Sequence, residues 1–200
     1  MILETILSSI SHDGKVNFAP IGVHVSDTDL EGSPVNQIVL RLYPGSQTYE
    51  NLRGTGQGVI NLTDDVLVFV ETGLYSGCPL YVPSQTVQPP SMAHARAIWE
   101  FTVTSFDPST EPALVEGKIE HREQRGGFSG FCRAQGAVLE ATVAATRWQW
   151  LPLAKIIDPW PMWLEMVEKT GGNREREAFN SVGRFLIEKG IHVPGVSGNG

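Results

Sequence analysis

Cysteine is scarce in this chain: Cys78 and Cys132 are the only two among 200 residues, and they stand in unrelated contexts. No CxxC pair is present, and the five histidines, at 12, 24, 94, 121 and 192, are dispersed. A disulfide framework and a zinc site of ordinary ligand spacing are therefore excluded, no metal is expected, and two free thiols suit a reducing cytosol. Cationic side chains are also short in supply: 15 Lys and Arg against 22 Asp and Glu give a formal net charge of −7. Nucleic-acid binding rests on a basic stripe that displaces counterions. The densest cluster here, His121-Arg122-Glu123-Gln124-Arg125, is interrupted by a glutamate, so no nucleic-acid partner is expected. No apolar run approaches a membrane span, and the opening Met1-Ile2-Leu3-Glu4-Thr5 lacks the basic region of a signal peptide; the expectation is a cytoplasmic protein without a membrane partner. No internal repeat is visible. A GxGxxG fingerprint in a βαβ setting is also missing, so a nicotinamide would not have a Rossmann domain of its own.

The residues present are those of an ordinary globular protein, with 41% hydrophobic and 18% charged side chains. Residues 2–11 and 16–25 read as strands, with Asp13-Gly14 favouring the positive φ of a tight hairpin. Residues 36–43 form a third strand with Ile38, Leu40 and Leu42 on one face, broken by Pro44-Gly45-Ser46. Residues 48–53 suit one helical turn and 58–63 a buried strand. From Asp64-Asp65 through Val70 either a helix or a strand fits; the two aspartates suit helix capping better than metal binding. Residues 73–95, rich in Gly, Pro and Ser, read as a long loop, and 98–106 and 114–122 alternate as strands. Strands joined by tight turns in this way suggest a small barrel rather than a βαβ sheet.

Composition changes after Gly126-Gly127. Phe131, Ala134, Val138, Ala141, Ala145 and Trp148 follow helical spacing. Asp158-Pro159 suits a helix start, Gly171-Gly172 a stop, Asn173 the next cap and Gly190 the final stop, with Phe179, Val182 and Leu186 on one face. The division expected is a barrel domain over 1–125, a helical domain of about three helices over 128–190, and a flexible tail over 191–200.

Two segments hold most of the barrel's unusual small and polar residues: Asn17-Phe18-Ala19-Pro20-Ile21-Gly22-Val23, and the stretch from Arg41 to Asn61. A phosphate dianion wants hydroxyls, backbone N–H groups and a cation, best at a helix N-terminus. Ser46, Thr48 and Asn51 cluster where a short helix begins, and Arg41 lies one strand earlier. A flavin ring wants a flat wall with little bulk, which Ala19, Pro20, Ile21 and Gly22 offer, and Asn61 is placed to reach a ring oxygen or the ribityl chain. Each segment also has a plainer reading, as a strand interruption at a barrel bend and as turn and cap residues.

Taken in this order, N-F-A-P-I-G-V at 17–23, P-G-S-Q-T-Y-E-N-L at 44–52 and V-I-N at 59–61 resemble the DUF447 family of FMN-binding, flavin reductase-like split barrels. The opening Ile2-Leu3-Glu4-Thr5, the segment 133–142 and Ala145-Thr146-Arg147 fit the same family, so the resemblance spans residue 2 to about 190. It implies a mainly β fold with α, an FMN-binding split β-barrel followed by a C-terminal helical domain. It further implies a homodimer with flavin near the subunit interface, phosphate held by Ser46, Thr48 and Asn51, ring and ribityl contacts from Ala19–Gly22 and Asn61, and Asn17 among the cofactor-binding residues. Gln47-Thr48 departs from the Asp-Thr of many flavin reductases. Members occur alongside tetrahydromethanopterin-linked C1 metabolism, which suggests a pathway but no substrate. The readings that follow are an FMN-dependent oxidoreductase of unknown substrate and electron donor, a non-catalytic FMN-binding or delivery module, and a dimeric structural protein without flavin. The flavin itself carries hydride or electrons, and no catalytic residue is assigned.

Other residues have two readings each. Arg122, Arg125 and Arg133 flank Gly126-Gly127 as an anion contact or as solvated arginines. His94 is a proton donor to the flavin or a surface histidine. Trp148, Trp150, Trp160 and Trp163 form a stacking cluster, or belong to a core or dimer interface. Cys78 is a redox thiol or, without a basic neighbour, an inert one.

Overall fold

The computed structural model describes residues 1–26 and 36–196, which fall into two compact units. The first comprises Met1–Thr63 and Cys78–Gly127. It holds β1 (Ile2–Ile10), β2 (Val16–His24), β3 (Gln37–Leu42), α1 (Gln47–Thr55), β4 (Gln57–Leu62), β5 (Tyr81–Val82), β6 (Ser91–Met92), β7 (Ala97–Asp107) and β8 (Ala113–Gln124). The second comprises Asp64–Gly77 and the chain from Phe128 onward, with α2 (Val66–Leu74), α3 (Arg133–Thr146), α4 (Ala154–Ile157), α5 (Trp160–Thr170) and α6 (Asn173–Glu188).

Six antiparallel strands close the barrel in the order β1-β2-β3-β8-β7-β4, with β4 returning to pair β1. Closure removes the sheet edges that would otherwise invite aggregation. The turn expected at Asp13-Gly14 is present: Gly14 has φ +84° and donates to Ser11 O at 3.0 Å. Along β3, Ile38, Leu40 and Leu42 point inward, and β8 alternates from Ala113 through Ile119, so one face of each strand meets the core and the other meets water. Phe101 fills the barrel centre. Its ring lies so close to Gly58 and Gly117 that a Cβ on either would come within 2.6 and 2.7 Å of it. Those glycines make room for an aromatic that neither strand could otherwise accept.

In the chain between β4 and β7, the loop that composition suggests over 73–95 is irregular as expected apart from the end of α2 and the short strands β5 and β6. The first part of this chain is α2, and the second is a strap fastened to the barrel. Strand β5 pairs with β6, and Tyr81 lies against Phe18 with ring centroids 5.9 Å apart. Between them Gln57 Oε1 accepts from Gln88 N at 2.9 Å and Ser8 Oγ donates to Pro90 O at 2.5 Å, and within β6 Met92 N donates to Asn61 Oδ1 at 2.7 Å. Glu100 makes the strongest of these ties. A bulge in the β7–β8 ladder sets Glu100 opposite His121 and Phe101 opposite Ile119. The Glu100 carboxylate, fully buried, accepts from Gln85 N at 2.8 Å and from both Thr86 N and Thr86 Oγ1 at 2.6 Å. Burial opposes its ionisation, but these donors, with a smaller contribution from His121, hold it below the usual carboxylate range.

In the helical unit, Val66-Leu67-Val68-Phe69-Val70 forms helix although its β-branched content favours strand. It is buried nearly all round, and Val66, Leu67 and Val70 join the core built by α3 and α6, so tertiary packing decides the conformation. Asp65 caps the helix by accepting from Leu67 N at 3.1 Å and pairs through both oxygens with Arg174. In α3 Ala134, Val138, Ala141 and Ala145 are buried, as their spacing predicts, and Ala137 is buried beside them. Phe131 departs from that pattern: it precedes the helix, is 98% exposed, and meets Phe128 edge-on. Asp158 is not an N-cap either. It is helical at the end of α4, which runs almost directly into α5. Gly172 rather than Asn173 takes the cap position of α6, with its N–H donated to Glu175 Oε2 at 2.9 Å. Beyond Gly190 the chain does not simply fray. Val193 is buried and Trp160 Nε1 donates to Pro194 O at 2.9 Å. The rest of the expected tail, residues 197–200, lies outside the described residues.

Candidate functional site

The polar residues singled out in the sequence come together where α1 meets the β1–β2 hairpin. Ser9 and Asn17 are register partners across β1 and β2. Thr48 and Asn51, three residues apart, share one face of α1. Asn17 Nδ2 donates to Thr48 Oγ1 at 3.1 Å, and Asn51 Nδ2 donates to Ser9 Oγ at 3.0 Å. The helix is thus held to the hairpin by two side-chain bonds in register. Ser9, Thr48 and Asn51 are all buried, at 0%, 2% and 2% exposure.

The remaining polar groups at this helix end are either committed or open. Ser46 is the N-cap: its hydroxyl accepts from Tyr49 N at 3.3 Å and donates to Tyr43 O at 2.9 Å. Asn51 Oδ1 accepts from Gln47 Nε2 at 2.7 Å, so the Asn51 carboxamide is bonded at both ends, to Ser9 and to Gln47. The backbone N–H groups of Gln47 and Thr48 belong to the helix's first turn, which has no intrahelical acceptor for them, and neither meets an acceptor among the described residues. The Thr48 hydroxyl accepts from Asn17 and donates to no described residue. Three donors with free protons therefore lie together in the first turn, at a positive helix end.

Strand β2 supplies a second feature. It pairs with β1 along its whole length, from Ile2↔His24 to Ile10↔Val16, but among the described residues it meets β3 only at Val23↔Leu40 and His24↔Val39. The side of β2 toward β3 is therefore open to those residues from Val16 to Gly22. Pro20, which has no N–H to give a ladder, sits in this open stretch. Ala19, Pro20, Ile21 and Gly22 are half-buried and present little side-chain bulk there. Thr5 Oγ1 donates to Ile21 O at 2.9 Å, which holds the strand against β1.

Arg41 lies exposed on β3, five residues before the helix cap. Asn61 is placed differently from the others. At 0% exposure, it donates to Ile6 O at 3.0 Å and Ser8 Oγ at 3.3 Å while accepting from Met92 N, so its side chain ties β4 to β1 and to the strap. Ser8 and Ser9 carry weight that the sequence reading did not give them. Two adjacent serines following the apolar pair Ile6-Leu7, in TILSSI, are the signal that a buried polar network runs through β1.

The other candidates separate. Arg125 is engaged by Met92 O at 2.9 Å, Ser91 Oγ at 3.1 Å and Glu123 at 2.8 Å, and Arg122 donates to Asn36 Oδ1 at 3.2 Å. Arg133 opens α3 in the other unit. His94 is exposed. The tryptophans form no single platform: Trp160 is fully buried against Phe179 with centroids 4.4 Å apart, Trp163 packs beside it, and Trp150 is 77% exposed. Cys78 is exposed and Cys132 half-buried, both free. Among the described residues no group of His, Cys, Asp and Glu could hold a metal, and no helix is long and apolar enough to cross a membrane.

Known proteins bear on this geometry. The barrel's sequence, residues 3–126, matches the family model described as the N-terminal domain of a protein of unknown function, DUF447, and residues 132–184 match the model of that family's second region. The fold is similar to that of an FMN-bound DUF447 protein from Methanosarcina mazei, at 24% identity and TM-score 0.78 over 92% of this chain and 95% of that one. A flavoredoxin of Desulfovibrio vulgaris (Miyazaki F) is similar over 62% of this chain and 70% of its own, at 16% identity and TM-score 0.51. A flavoredoxin from Methanosarcina acetivorans covers 62% and 69%, at 16% identity and TM-score 0.52. No functionally curated protein matches the chain. Two matched regions spanning most of the sequence, on a closed six-stranded split barrel with C-terminal helices, establish that this chain belongs to the DUF447 family.

Proposed function

We propose that this protein binds FMN where α1 meets β1 and β2, and that it works as an FMN-dependent oxidoreductase of the flavin reductase-like kind. The observation that carries the reading is the set of three uncommitted donors at the start of α1: the N–H groups of Gln47 and Thr48 and the Thr48 hydroxyl. These suit a phosphate dianion, which accepts charge-assisted hydrogen bonds and is favoured at a helix N-terminus. Arg41 adds positive charge from β3. The open side of β2 suits the other end of the cofactor, since residues 16–22 pair with β1 but have no β3 partner among the described residues, and the Ala-Pro-Ile-Gly run leaves room for a flat ring.

In this reading the chain's own residues bind and orient. Thr48 and the first-turn amides hold phosphate, Ala19 to Gly22 line the ring, and Asn51 and Asn61 act from within, fixing α1 and the strap rather than touching the cofactor. The bound flavin supplies hydride or single-electron transfer. A homodimer with two equivalent sites, cytoplasmic, fits the open β2 edge and the family's membership among split barrels. A place in tetrahydromethanopterin-linked C1 metabolism is the pathway this membership suggests.

The test is the visible spectrum of the purified protein before and after soaking with FMN and desalting. A retained flavin spectrum near one per subunit is expected, followed by bleaching with NADH, NADPH or a reduced deazaflavin. A protein that stays colourless and binds no FMN at micromolar concentration refutes the reading. FMN retained but unbleached by every donor would favour a carrier role instead.

A further inference from the structure

We infer that Asn17 is a positioning residue for phosphate: by donating to Thr48 Oγ1 it sets the direction in which the Thr48 hydroxyl gives its own proton. The inference rests on the FMN site proposed above and adds the device that makes that site selective for the phosphate end.

A threonine in a helix ordinarily turns its hydroxyl back to the carbonyl four residues earlier. Four others among the described residues do so: Thr55 to Asn51 O at 2.9 Å, Thr72 to Val68 O at 2.6 Å, Thr142 to Val138 O at 2.7 Å and Thr170 to Met166 O at 2.7 Å. Thr48 does not. It is the second residue of α1, so the carbonyl four back belongs to Pro44, outside the helix. Its hydroxyl proton is therefore released from the backbone. Something else must choose the rotor's direction, because a hydroxyl is both donor and acceptor.

Asn17 makes that choice. Its amide nitrogen occupies an acceptor position of Thr48 Oγ1 at 3.1 Å, in a setting where Thr48 is 2% exposed and water competes little. A hydroxyl that accepts on one side has its proton left for the other, and the acceptor best suited to it is an anion. The geometry is held rigidly, since the second bond of the pair, Asn51 to Ser9, prevents α1 from turning on the hairpin. Asn17 is half-buried in β2, so substitution there does not open a cavity in the core.

The test compares FMN with riboflavin, which lacks the phosphate, by quenching of flavin fluorescence at fixed ionic strength. Asn17→Ala should weaken FMN about tenfold, the scale of one misdirected hydrogen bond to a charged group, and leave riboflavin within about twofold. In a Thr48→Val background the same substitution should cost nothing more, because the hydroxyl it directs is gone. Asn17→Asp, nearly the same size, should lose FMN more severely than Asn17→Ala, because a carboxylate captures the Thr48 proton and adds negative charge; its circular dichroism and melting curve check folding independently. Equal losses for FMN and riboflavin would overturn the inference, as would an Asn17→Ala penalty that persists in Thr48→Val, or an Asn17→Asp variant that binds FMN like the wild type. The two readings fail differently. If Thr48→Val leaves FMN affinity unchanged, the phosphate site is not at α1 and both fall. If Thr48→Val weakens FMN but Asn17→Ala shows no coupling to it, the site stands and only the positioning role falls.

Discussion

Glu100→Gln should release the strap between β5 and β6 from the barrel, and the size of the effect follows from the bonds. One carboxylate oxygen serves Gln85 N and the other serves both Thr86 N and Thr86 Oγ1, all at 2.6–2.8 Å in a fully buried position. Glutamine keeps the shape but offers a single acceptor. With its oxygen toward Thr86, its NH₂ faces the Gln85 N–H, donor against donor. The loss of charge assistance and one buried N–H without a partner cost about 2–4 kcal/mol. At a urea slope of about 2 kcal/mol/M that is a shift of about 1–2 M in the barrel's unfolding midpoint. Amide exchange at Gln85 and Thr86 should rise earlier and more steeply than exchange in β7, because the strap can open without the barrel. The effect should also depend on pH with a definite sign. Folding lowers the Glu100 pKa, so its contribution is complete above the carboxyl's unfolded value and is lost as pH falls through the folded value. The wild type and Glu100→Gln should therefore converge in stability in acid, below the ordinary carboxylate range, and differ most near neutrality. His121 is the register partner of Glu100 across the ladder, so a His121→Gln control isolates its smaller share. Unchanged exchange at Gln85 and Thr86, or a stability gap that widens in acid, would refute the account.

Other substitutions test other parts of the argument. Gly58→Ala should destabilise the barrel by about 1–3 kcal/mol in urea unfolding, since the new Cβ would sit 2.6 Å from the Phe101 ring and overpack a closed core; Gly127→Ala, which meets nothing within 4 Å, is the neutral comparison. Asp65→Ala should cost about 1 kcal/mol more than Arg174→Ala in thermal melting, because Asp65 both pairs with Arg174 and caps α2, whereas the ion pair alone is largely exposed. Trp160→Phe should lose about 1 kcal/mol with the Nε1 bond to Pro194 and speed proteolysis after Gly190; an unchanged digestion pattern would count against that anchor. Arg41→Gln should weaken FMN more at low salt than at high salt, as expected of an exposed charge acting on a phosphate.

The amino-acid sequence by itself determined the elements that depend on neighbours along the chain. Alternation over 37–42 and 113–119, the positive-φ turn at Gly14, the strand break at Pro44-Gly45-Ser46 and the small-residue face of α3 are local consequences of side-chain shape and period. The polar residues of the candidate site were legible for the same reason: hydroxyls and amides clustered at a helix start stand out against apolar strands. Only the tertiary structure decided where their hydrogen bonds point. Asn51 and Asn61 look from the sequence like ligand contacts; the structure shows the protein partners that a buried amide must find, Ser9 and Gln47 for Asn51, and Ile6 and Met92 for Asn61. It also decided that Val66–Leu74 is a helix, since a run apolar on every side carries no period to read and takes the conformation its neighbours can bury. The strap's attachment lay beyond the sequence altogether. Glu100 reads as one more outward residue on an alternating strand until Gln85 and Thr86 are seen folded over it.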